Sequence, residues 1–194
     1  MDKLIEISKK LMDKRSKKTQ EAIFEAFFSL LNEATFHDIT VGKLIERADI
    51  GRSTFYSHFT SKDDLLAAVC ANLFHHVFVE SSYAEHIASD EFVEKDSLNN
   101  LLAHLFHHFQ ENQERVSTLF KLGDEYFSRN LSQELQTYLV PLIIPFYKNK
   151  AMLPESFIHH HIKSNFTSTL NWWLKKSPST SAEEVASYFL VILS

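Results

Sequence analysis

The sequence is poor in the residues that crosslink or interrupt a chain. Its 194 residues include one cysteine, three glycines and four prolines. A single cysteine, Cys70, excludes an internal disulfide and suits a reducing compartment. Few glycines and prolines, together with long stretches of 3.6-residue apolar spacing, predict an all-α protein.

Long apolar runs are missing as well. No stretch approaches the roughly 18 apolar residues that a membrane-spanning helix requires. The first 20 residues are charged throughout and contain no apolar run suited to a secretory signal. We therefore expect a cytoplasmic protein that has no membrane partner.

Sequence motifs of catalysis are also absent. The chain has no GxSxG elbow, no glycine-rich phosphate loop and no paired-carboxylate motif on a recognisable scaffold. Cys70 lies in an apolar stretch and is predicted to be an ordinary core thiol. The sequence thus predicts a protein that is not an enzyme and that binds no cofactor.

The charge is unevenly distributed along the chain. The net charge is −5, but residues 1–62 hold 11 Lys and Arg against 9 Asp and Glu, whereas residues 63–194 hold 9 against 16. The basic residues near the start of the chain are Lys9, Lys10, Lys14, Arg15, Lys17 and Lys18. This basic run is either a solvated start of a helix or a phosphate-binding stretch, and composition leaves both open.

The most informative segment is residues 39–66, which has the pattern of a helix, a tight turn and a second helix. Thr40 can cap the first helix, in which Leu44, Ile45 and Ala48 share one face. In the second helix two phenylalanines lie one turn apart and can be buried together, so the other side chains face outward.

Those outward residues supply a guanidinium, two hydroxyls, a phenol and an imidazole: Arg52, Ser53, Thr54, Tyr56 and His58. Such groups suit phosphate oxygens and base edges better than a protein core. A helix-turn-helix with this outer face predicts DNA binding.

The segment resembles the DNA-binding domain of the TetR family of bacterial transcriptional regulators. The residues that carry the resemblance are Ile39-Thr40-Val41, the run from Ser53 to Phe59, and the run from Ser61 to Leu65. The resemblance implies a double-stranded DNA operator as partner, bound by a homodimer. It also implies that the five outward residues lie along the recognition helix in the major groove.

The same resemblance suggests individual roles. Arg52 could donate a bidentate pair to guanine, whereas Tyr56 and Lys62 match positions that usually bind phosphate. Thr40 is predicted to be both a helix cap and a phosphate donor. Two alternatives stay open, since Thr54 could merely support the turn and Tyr56 could belong partly to the core.

We predict two domains with about nine helices in total. Residues 1–62 form an N-terminal arm and the helix-turn-helix domain, whose first helix runs from about residue 16 to 32. Residues 63–194 form a helical domain for effector binding and dimerisation. Within it, residues 81–96 are predicted to be a loop, and Pro141 and Pro145 should end or kink their helix.

The last two helices, about 155–175 and 181–193, are the candidates for dimerisation. The predicted interface combines an apolar stripe on the first of these helices with a face of the last helix that includes Phe189. The residues of the stripe are Ile158, Ile162, Phe166, Leu170 and Trp173. The alternative is that the stripe forms the internal core of a monomer. The stretch from Asn171 to Leu174, with the Ser-Pro that follows, resembles a C-terminal domain type common among TetR-like regulators of Gram-positive bacteria.

Between the two ends of the chain lies an aromatic-rich region. We predict a pocket for a small apolar effector lined by Phe106, Phe109, Phe120, Tyr126, Phe127 and Phe146. Packed core is the alternative explanation for the same residues.

Eleven histidines raise the question of metal binding. His104 and His108 lie one helical turn apart, with His107 and Glu111 nearby, but no cysteine pair or HExxH motif accompanies them. We therefore predict no metal site. The functional prediction is a TetR-like regulator, by default a repressor released by an effector. The alternative is a regulator or coactivator controlled by a protein partner.

Overall fold

The computed structural model describes residues 2–79, 95–122, 126–146 and 153–193, with side chains for 14–74, 98–122, 126–146 and 153–193. Over these ranges the regular structure consists of nine α-helices and short 3-10 and π turns, without a strand. This confirms the predicted all-α fold class. No helix among the described residues is both long and apolar enough to span a membrane.

The chain divides into two compact units, Met1–Val69 and Cys70–Ser194. The helices of the first unit, together with the helix that continues into the second, are α1 (Asp2–Leu31), α2 (Val41–Ala48), α3 (Arg52–His58) and α4 (Lys62–Val79). A 3-10 turn, Phe36–Asp38, connects α1 to α2. The functional boundary after residue 62 remains a prediction.

The second unit contains five further helices. They are α5 (Lys95–Glu111), α6 (Gln113–Phe120), α7, which begins as Phe127–Glu134, α8 (Glu155–Lys176) and α9 (Ala182–Leu193). The loop predicted at residues 81–96 lies almost wholly outside the described residues.

The first helix is longer than the sequence pattern predicted, because α1 begins at Asp2 and not near Ser16. The added residues are mostly Lys, Glu, Leu, Ile and Met, and no Gly or Pro occurs before Gly42. Most of these residues favour helix and none interrupts it, so the helix needs no cap at Ser16 to begin.

Pro141 perturbs its helix as predicted. A π-helical turn, Leu135–Leu139, follows the first part of α7, and the helix then continues through Val140–Ile143. Proline has no N–H and its ring clashes with the carbonyl four residues before it, so the hydrogen-bond register shifts locally. The Val140 N–H accordingly donates to the Leu135 carbonyl.

The first unit is built on aromatic packing. Phe55 of α3 and Ile39 are fully buried, and Phe59 is nearly so. The ring of Phe59 contacts Phe55 at 5.9 Å and stacks on Phe24 of α1 at 6.0 Å, centroid to centroid. The helix-turn-helix therefore packs on α1 through its second helix, α3.

Lys62 at the start of α4 provides a second fastening. Its ammonium donates to the carbonyls of Phe36, His37 and Ile39 at 2.7, 3.1 and 3.0 Å. The same ammonium lies 4.7 Å from the centroid of the Phe36 ring. All three N–H bonds thus have acceptors within the chain, and Lys62 ties the start of α4 to the connection between α1 and α2.

The second unit has an aromatic core around Phe106 of α5. This ring stacks on Phe166 at 5.2 Å and meets Trp173 edge-on at 5.6 Å. Phe189 packs on Phe166 at 5.6 Å. The indole N–H of Trp173 donates to the Thr180 carbonyl at 2.9 Å, so its one polar atom is satisfied.

This core corrects the predicted dimer interface. Five of the six predicted residues have no exposed surface within one chain: Ile162, Phe166, Leu170, Trp173 and Phe189. Ile158 is half-buried. A side chain without exposed surface cannot contact a second copy of the same fold, so the stripe belongs to the internal core, as the alternative interpretation held.

A different set of apolar side chains is exposed on α8 and α9. This outer apolar surface consists of Phe157, Trp172, Tyr188, Val191 and Ile192, which are 53, 43, 46, 72 and 61% exposed. Helical spacing places these residues away from the buried face of each helix.

The predicted pocket residues fall into separate groups. Phe106 and Phe109 are fully buried and both contact Phe166, so they belong to the packed core. Phe120 and Phe127 form their own edge-to-face pair at 4.9 Å. Tyr126 is half-buried and Phe146 is exposed. The prediction of a single aromatic box is therefore wrong for Phe106 and Phe109, whose faces are occupied by other rings.

Replacing Lys62 by methionine should weaken the fold, because three carbonyls lose a charged donor while the aliphatic stem is kept. We expect a loss of about 1–2 kcal/mol in the free energy of unfolding. The thermal midpoint, followed by circular dichroism, should fall by about 2–4 °C per kcal/mol. Lys43→Met is the matched control, since Lys43 makes one exposed bond, to the Asp38 carbonyl. Equal midpoints for the two variants would contradict this role.

The buried thiol of Cys70 should be unreactive. Burial, with a smaller contribution from Glu134, raises its pKa to about 12, so almost no thiolate exists at pH 8. A colorimetric disulfide reagent should therefore label Cys70 orders of magnitude more slowly in the folded chain than in denaturant. Rapid labelling of the folded chain at pH 8 would refute the buried position.

Candidate nucleic-acid interface

The interface begins at the first turn of α2, where Thr40 is the N-cap. Its extended backbone, with φ −113° and ψ 157°, lets its Oγ1 accept the Lys43 N–H at 3.3 Å. Thr40 is exposed, so the cap that begins the helix also presents a hydroxyl to solvent. The predicted cap is confirmed, and the phosphate contact stays a prediction.

Asp49 makes the sharp turn between α2 and α3. It is the C-cap of α2 in the left-handed conformation, with φ 51° and ψ 51°, and Gly51 then caps the start of α3. Aspartate tolerates this conformation better than most side chains do. The turn aims α3 away from α2 while both helices keep one face on the core.

The faces of α3 are set by Phe55. Because Phe55 is fully buried, the residues two positions before and after it point away from the core. Ser53 and Ser57 occupy those positions and are exposed. Arg52, in the first turn, is exposed as well, and Tyr56 is 49% exposed with its ring edge-on to Phe55.

Thr54 and His58 lie on the flanks of this face and are half-buried. The imidazole of His58 packs beside the Phe59 ring, with centroids 6.0 Å apart. Sequence reasoning named both residues but omitted Ser57, which the structure places at the middle of the outer face. Its spacing of four from Ser53 would have indicated this position. The Ser57 hydroxyl donates to the Thr54 carbonyl at 2.7 Å.

Lys62 differs from the other predicted phosphate-binding residues. Its three donors are already used by the carbonyls of the Phe36–Ile39 connection, so in this arrangement it has no N–H to offer a phosphate. We therefore assign Lys62 to holding the fold and remove it from the candidate DNA contacts.

Arg47 fastens α2 to α1 from the other end. Its guanidinium donates to both carboxylate oxygens of Glu33, at 2.8 and 2.7 Å, and to the Ser29 hydroxyl. The hydrogen bonds from Arg47 lower the pKa of Glu33. This bidentate pair was not predicted, because its partners lie 14 residues apart and no local pattern links them.

Two acidic groups close to the interface accept hydrogen bonds within the chain. The Thr35 hydroxyl donates to Asp38 at 2.6 Å and, with His37, Lys43 and Lys62 nearby, lowers the pKa of that carboxyl. Asp64 accepts from the Thr60 N–H at 2.8 Å, and its own N–H donates to Ser61. Ser61 thus caps the start of α4.

Three of the described histidines, His107, His108 and His159, each lie within 4 Å of a single carboxylate. His107 bonds to Glu183 at 2.8 Å, and His108 lies 3.9 Å from Glu111. Over the described ranges, no group of three or more His, Cys, Asp or Glu side chains is placed to hold a metal ion.

Family profiles match both ends of the chain. The profile described as bacterial regulatory proteins of the tetR family matches residues 23–69, which include the whole helix-turn-helix. The profile described as a transcriptional regulator C-terminal region matches residues 96–194, just over half of the chain.

Two curated relatives match part of the chain. An HTH-type transcriptional regulator of Bacillus subtilis, YxbF, is 33% identical over 78 residues, 38% of this chain and 20% of the relative. The dhaKLM operon transcriptional activator DhaS of Lactococcus lactis is 33% identical over 69 residues, 36% of this chain and 37% of the relative. The matches thus span well under half the length of either relative.

A solved structure matches along nearly the whole chain. A TetR transcriptional regulator from Streptococcus agalactiae is 34% identical and superposes with a TM-score of 0.68, over 95% of this chain and 98% of that one. All three relatives come from Gram-positive bacteria, in agreement with the resemblance noted around Trp172. On its profiles, its fold and this relative, the chain belongs to the TetR family of bacterial transcriptional regulators.

Proposed function

We propose that this TetR-family regulator represses transcription by binding a palindromic operator as a homodimer, and that a small apolar effector releases it. The outer face of α3 carries the proposal, because Arg52, Ser53, Tyr56 and Ser57 are exposed opposite a fully buried Phe55. Polar groups held on a rigid helix can enter the major groove without rearranging the core.

The residues on this face have distinct roles in the proposal. Arg52 donates its guanidinium fork to guanine O6 and N7, and the hydroxyls of Ser53 and Ser57 contact base edges beside it. Tyr56 and Thr40 donate to phosphates on the two sides of the groove and set the position of the helix. Thr54 and His58 contact the DNA from the flanks of the recognition helix.

The outer apolar surface supports a homodimer. Five of the large apolar side chains that are exposed lie on two helices in contact with each other, α8 and α9, and exposed apolar surface of this kind marks an interaction site. A second copy supplies the same surface and covers it by symmetry. The two recognition helices then meet successive turns of the major groove, about 34 Å apart.

The effector acts through the second unit. An effector shifts the DNA-binding population only if it binds one spacing of the recognition helices better than the other. Within the aromatic region, half-buried Phe120 and Tyr126 adjoin buried Phe127, and Phe146 is exposed. These partly exposed apolar side chains suit an apolar ligand.

Activation is the second candidate, and the relative DhaS favours it because its name describes a transcriptional activator. In that case control by a protein partner replaces release by a small ligand. In vitro transcription from the bound promoter separates the two, since a repressor lowers and an activator raises the transcript level.

Footprinting on the chain's own upstream region, followed by genome-wide selection of bound fragments, tests DNA recognition. We expect a protected palindrome whose protection weakens with salt, because phosphate contacts release counterions. Recovery of no site by either approach would overturn the proposal.

Arg52→Ala should weaken operator binding by roughly 5- to 150-fold per half-site, corresponding to about 1–3 kcal/mol for a lost bidentate contact with guanine. Affinity for random duplex should fall far less, because the lost contact reads a base. Arg129→Ala is the control, since Arg129 is exposed in the second unit. Anisotropy titrations with labelled duplexes measure both affinities, and equal losses on the two duplexes would rule out base recognition by Arg52.

Val191→Glu should dissociate the homodimer, because it places a charge at the most exposed position of the outer apolar surface. Sedimentation velocity should show monomers at concentrations where the parent chain is dimeric. Gln133→Glu adds the same charge at an exposed position of α7 and should leave the dimer intact. A Val191→Glu variant that stayed dimeric would place the interface elsewhere.

A further inference from the structure

Lys62 binds the segment of chain that leads directly into Thr40. Three carbonyls of this segment, from Phe36, His37 and Ile39, accept hydrogen bonds from its ammonium at 2.7, 3.1 and 3.0 Å. The bonds to Phe36 and Ile39 are partly buried, so water competes for them less than for an exposed pair. The last acceptor, Ile39, is the residue immediately before Thr40.

The Ile39 carbonyl controls the orientation of Thr40. This carbonyl is part of the peptide bond that joins Ile39 to Thr40, and a peptide unit is planar. The hydrogen bond from Lys62 therefore limits rotation of the plane, which would change ψ of Ile39 and φ of Thr40 together. Both residues have extended backbone, with φ −75° and ψ 124° at Ile39 and φ −113° and ψ 157° at Thr40.

The hydroxyl of Thr40 depends on this backbone conformation. Its Oγ1 accepts the Lys43 N–H at 3.3 Å, and a side chain can cap a helix in this way only from an extended N-cap residue. Among the described residues no acceptor takes the hydroxyl proton of Thr40, so the group can donate to a phosphate while it caps α2. Rotation of the Ile39–Thr40 peptide would disturb the cap and redirect this donor.

The geometry disfavours a phosphate contact by Lys62 itself. An ammonium has three N–H donors, and a phosphate would have to displace one of the three carbonyls. We propose that Lys62 is a positioning residue for DNA binding, which acts through the Ile39–Thr40 peptide and holds the Thr40 hydroxyl toward an operator phosphate. The inference rests on the proposed function, because the phosphate contact of Thr40 belongs to it.

Three possible roles of Lys62 differ in their effect on DNA binding. If its ammonium neutralised a phosphate, its loss would reduce the slope of log affinity against log salt by about 0.9 per protomer. A residue that only stabilised the fold would leave the affinity of the folded protein unchanged. Loss of a positioning residue lowers the affinity and keeps the slope, because the hydroxyl that it places carries no charge.

The test is a double-mutant cycle on operator affinity, with Lys62→Met, Thr40→Val and the variant that carries both. Methionine keeps the aliphatic stem without the ammonium, and valine keeps the shape of threonine without the hydroxyl. Lys121→Met is the control, because Lys121 is exposed in the second unit and its loss removes the same charge. Anisotropy titrations at several salt concentrations are made at a temperature where circular dichroism shows every variant fully folded.

We expect Lys62→Met and Thr40→Val each to weaken operator binding by roughly 2- to 10-fold per half-site, the range for one hydrogen bond. The double variant should bind as weakly as Thr40→Val alone, because no hydroxyl is left to position. The salt slope of Lys62→Met should equal that of the control. Parent affinity in Lys62→Met, additive losses in the double variant, or a slope shallower by about 1.8 for the dimer would each overturn the inference.

The parent chain and Thr40→Val separate this inference from the proposed function. If the parent selects no operator, site-specific regulation fails and the inference falls with it. If the parent binds its operator and Thr40→Val binds it equally well, operator recognition stands and only the positioning role is refuted, since Thr40 then makes no contact for Lys62 to support.

Discussion

The burial of Phe55 is the constraint on which the DNA-binding surface depends. A seven-residue helix has only two turns, so one fully buried ring determines which way every other side chain on α3 points. Phe24 and Phe59 extend this packing onto α1. Rotation of α3 would therefore have to break an aromatic cluster, and the outer face of Arg52, Ser53 and Ser57 is held in one orientation before any DNA is bound.

Polar contacts, together with the aromatic core, hold the helices of the first unit in place. Arg47 of α2 binds Ser29 of α1 and Glu33 just after that helix. Lys62 holds the connection between α1 and α2 against the start of α4. Each of these two side chains donates several hydrogen bonds from a charged group. Such charge-assisted hydrogen bonds are stronger and more directional than those of a neutral pair. The unit thus resists deformation at both ends of α2, which preserves the geometry between Thr40 and the recognition helix.

The helix-turn-helix could be predicted from sequence because its determinants are local. The Thr40 cap, the Phe55–Phe59 spacing and the Ser61 cap are each visible within a few residues, and the structure has all three. The hydrogen bonds of Arg47 and Lys62 could not be predicted from the sequence, because their partners lie 14 and 23–26 residues away. Local patterns do not encode such pairs.

The second unit was harder to predict for a related reason. Periodicity shows which residues share a face, but not which partner covers that face. Adjacent Trp172 and Trp173 give α8 apolar character on two sides. The structure buries Trp173 against Phe106 and leaves Trp172 exposed. Only the packing of α5 against α8 and α9 decides between the two faces, and that packing joins residues far apart in the chain.

Some cationic side chains of the first unit form hydrogen bonds within the chain. This matters for how a protein with a net negative charge binds DNA. Of the cations whose side chains are described in the first unit, Arg47 and Lys62 are engaged by a carboxylate and by carbonyls. Lys43 donates to the Asp38 carbonyl. Arg52 of α3 and four cations of α1, Lys14, Arg15, Lys17 and Lys18, are exposed and have no ion-pair partner among the described residues. Because phosphate contacts require positive charge that is not already engaged within the protein, the internal hydrogen bonds of Arg47, Lys43 and Lys62 divide the cations of the first unit into those that hold the fold and those that face solvent.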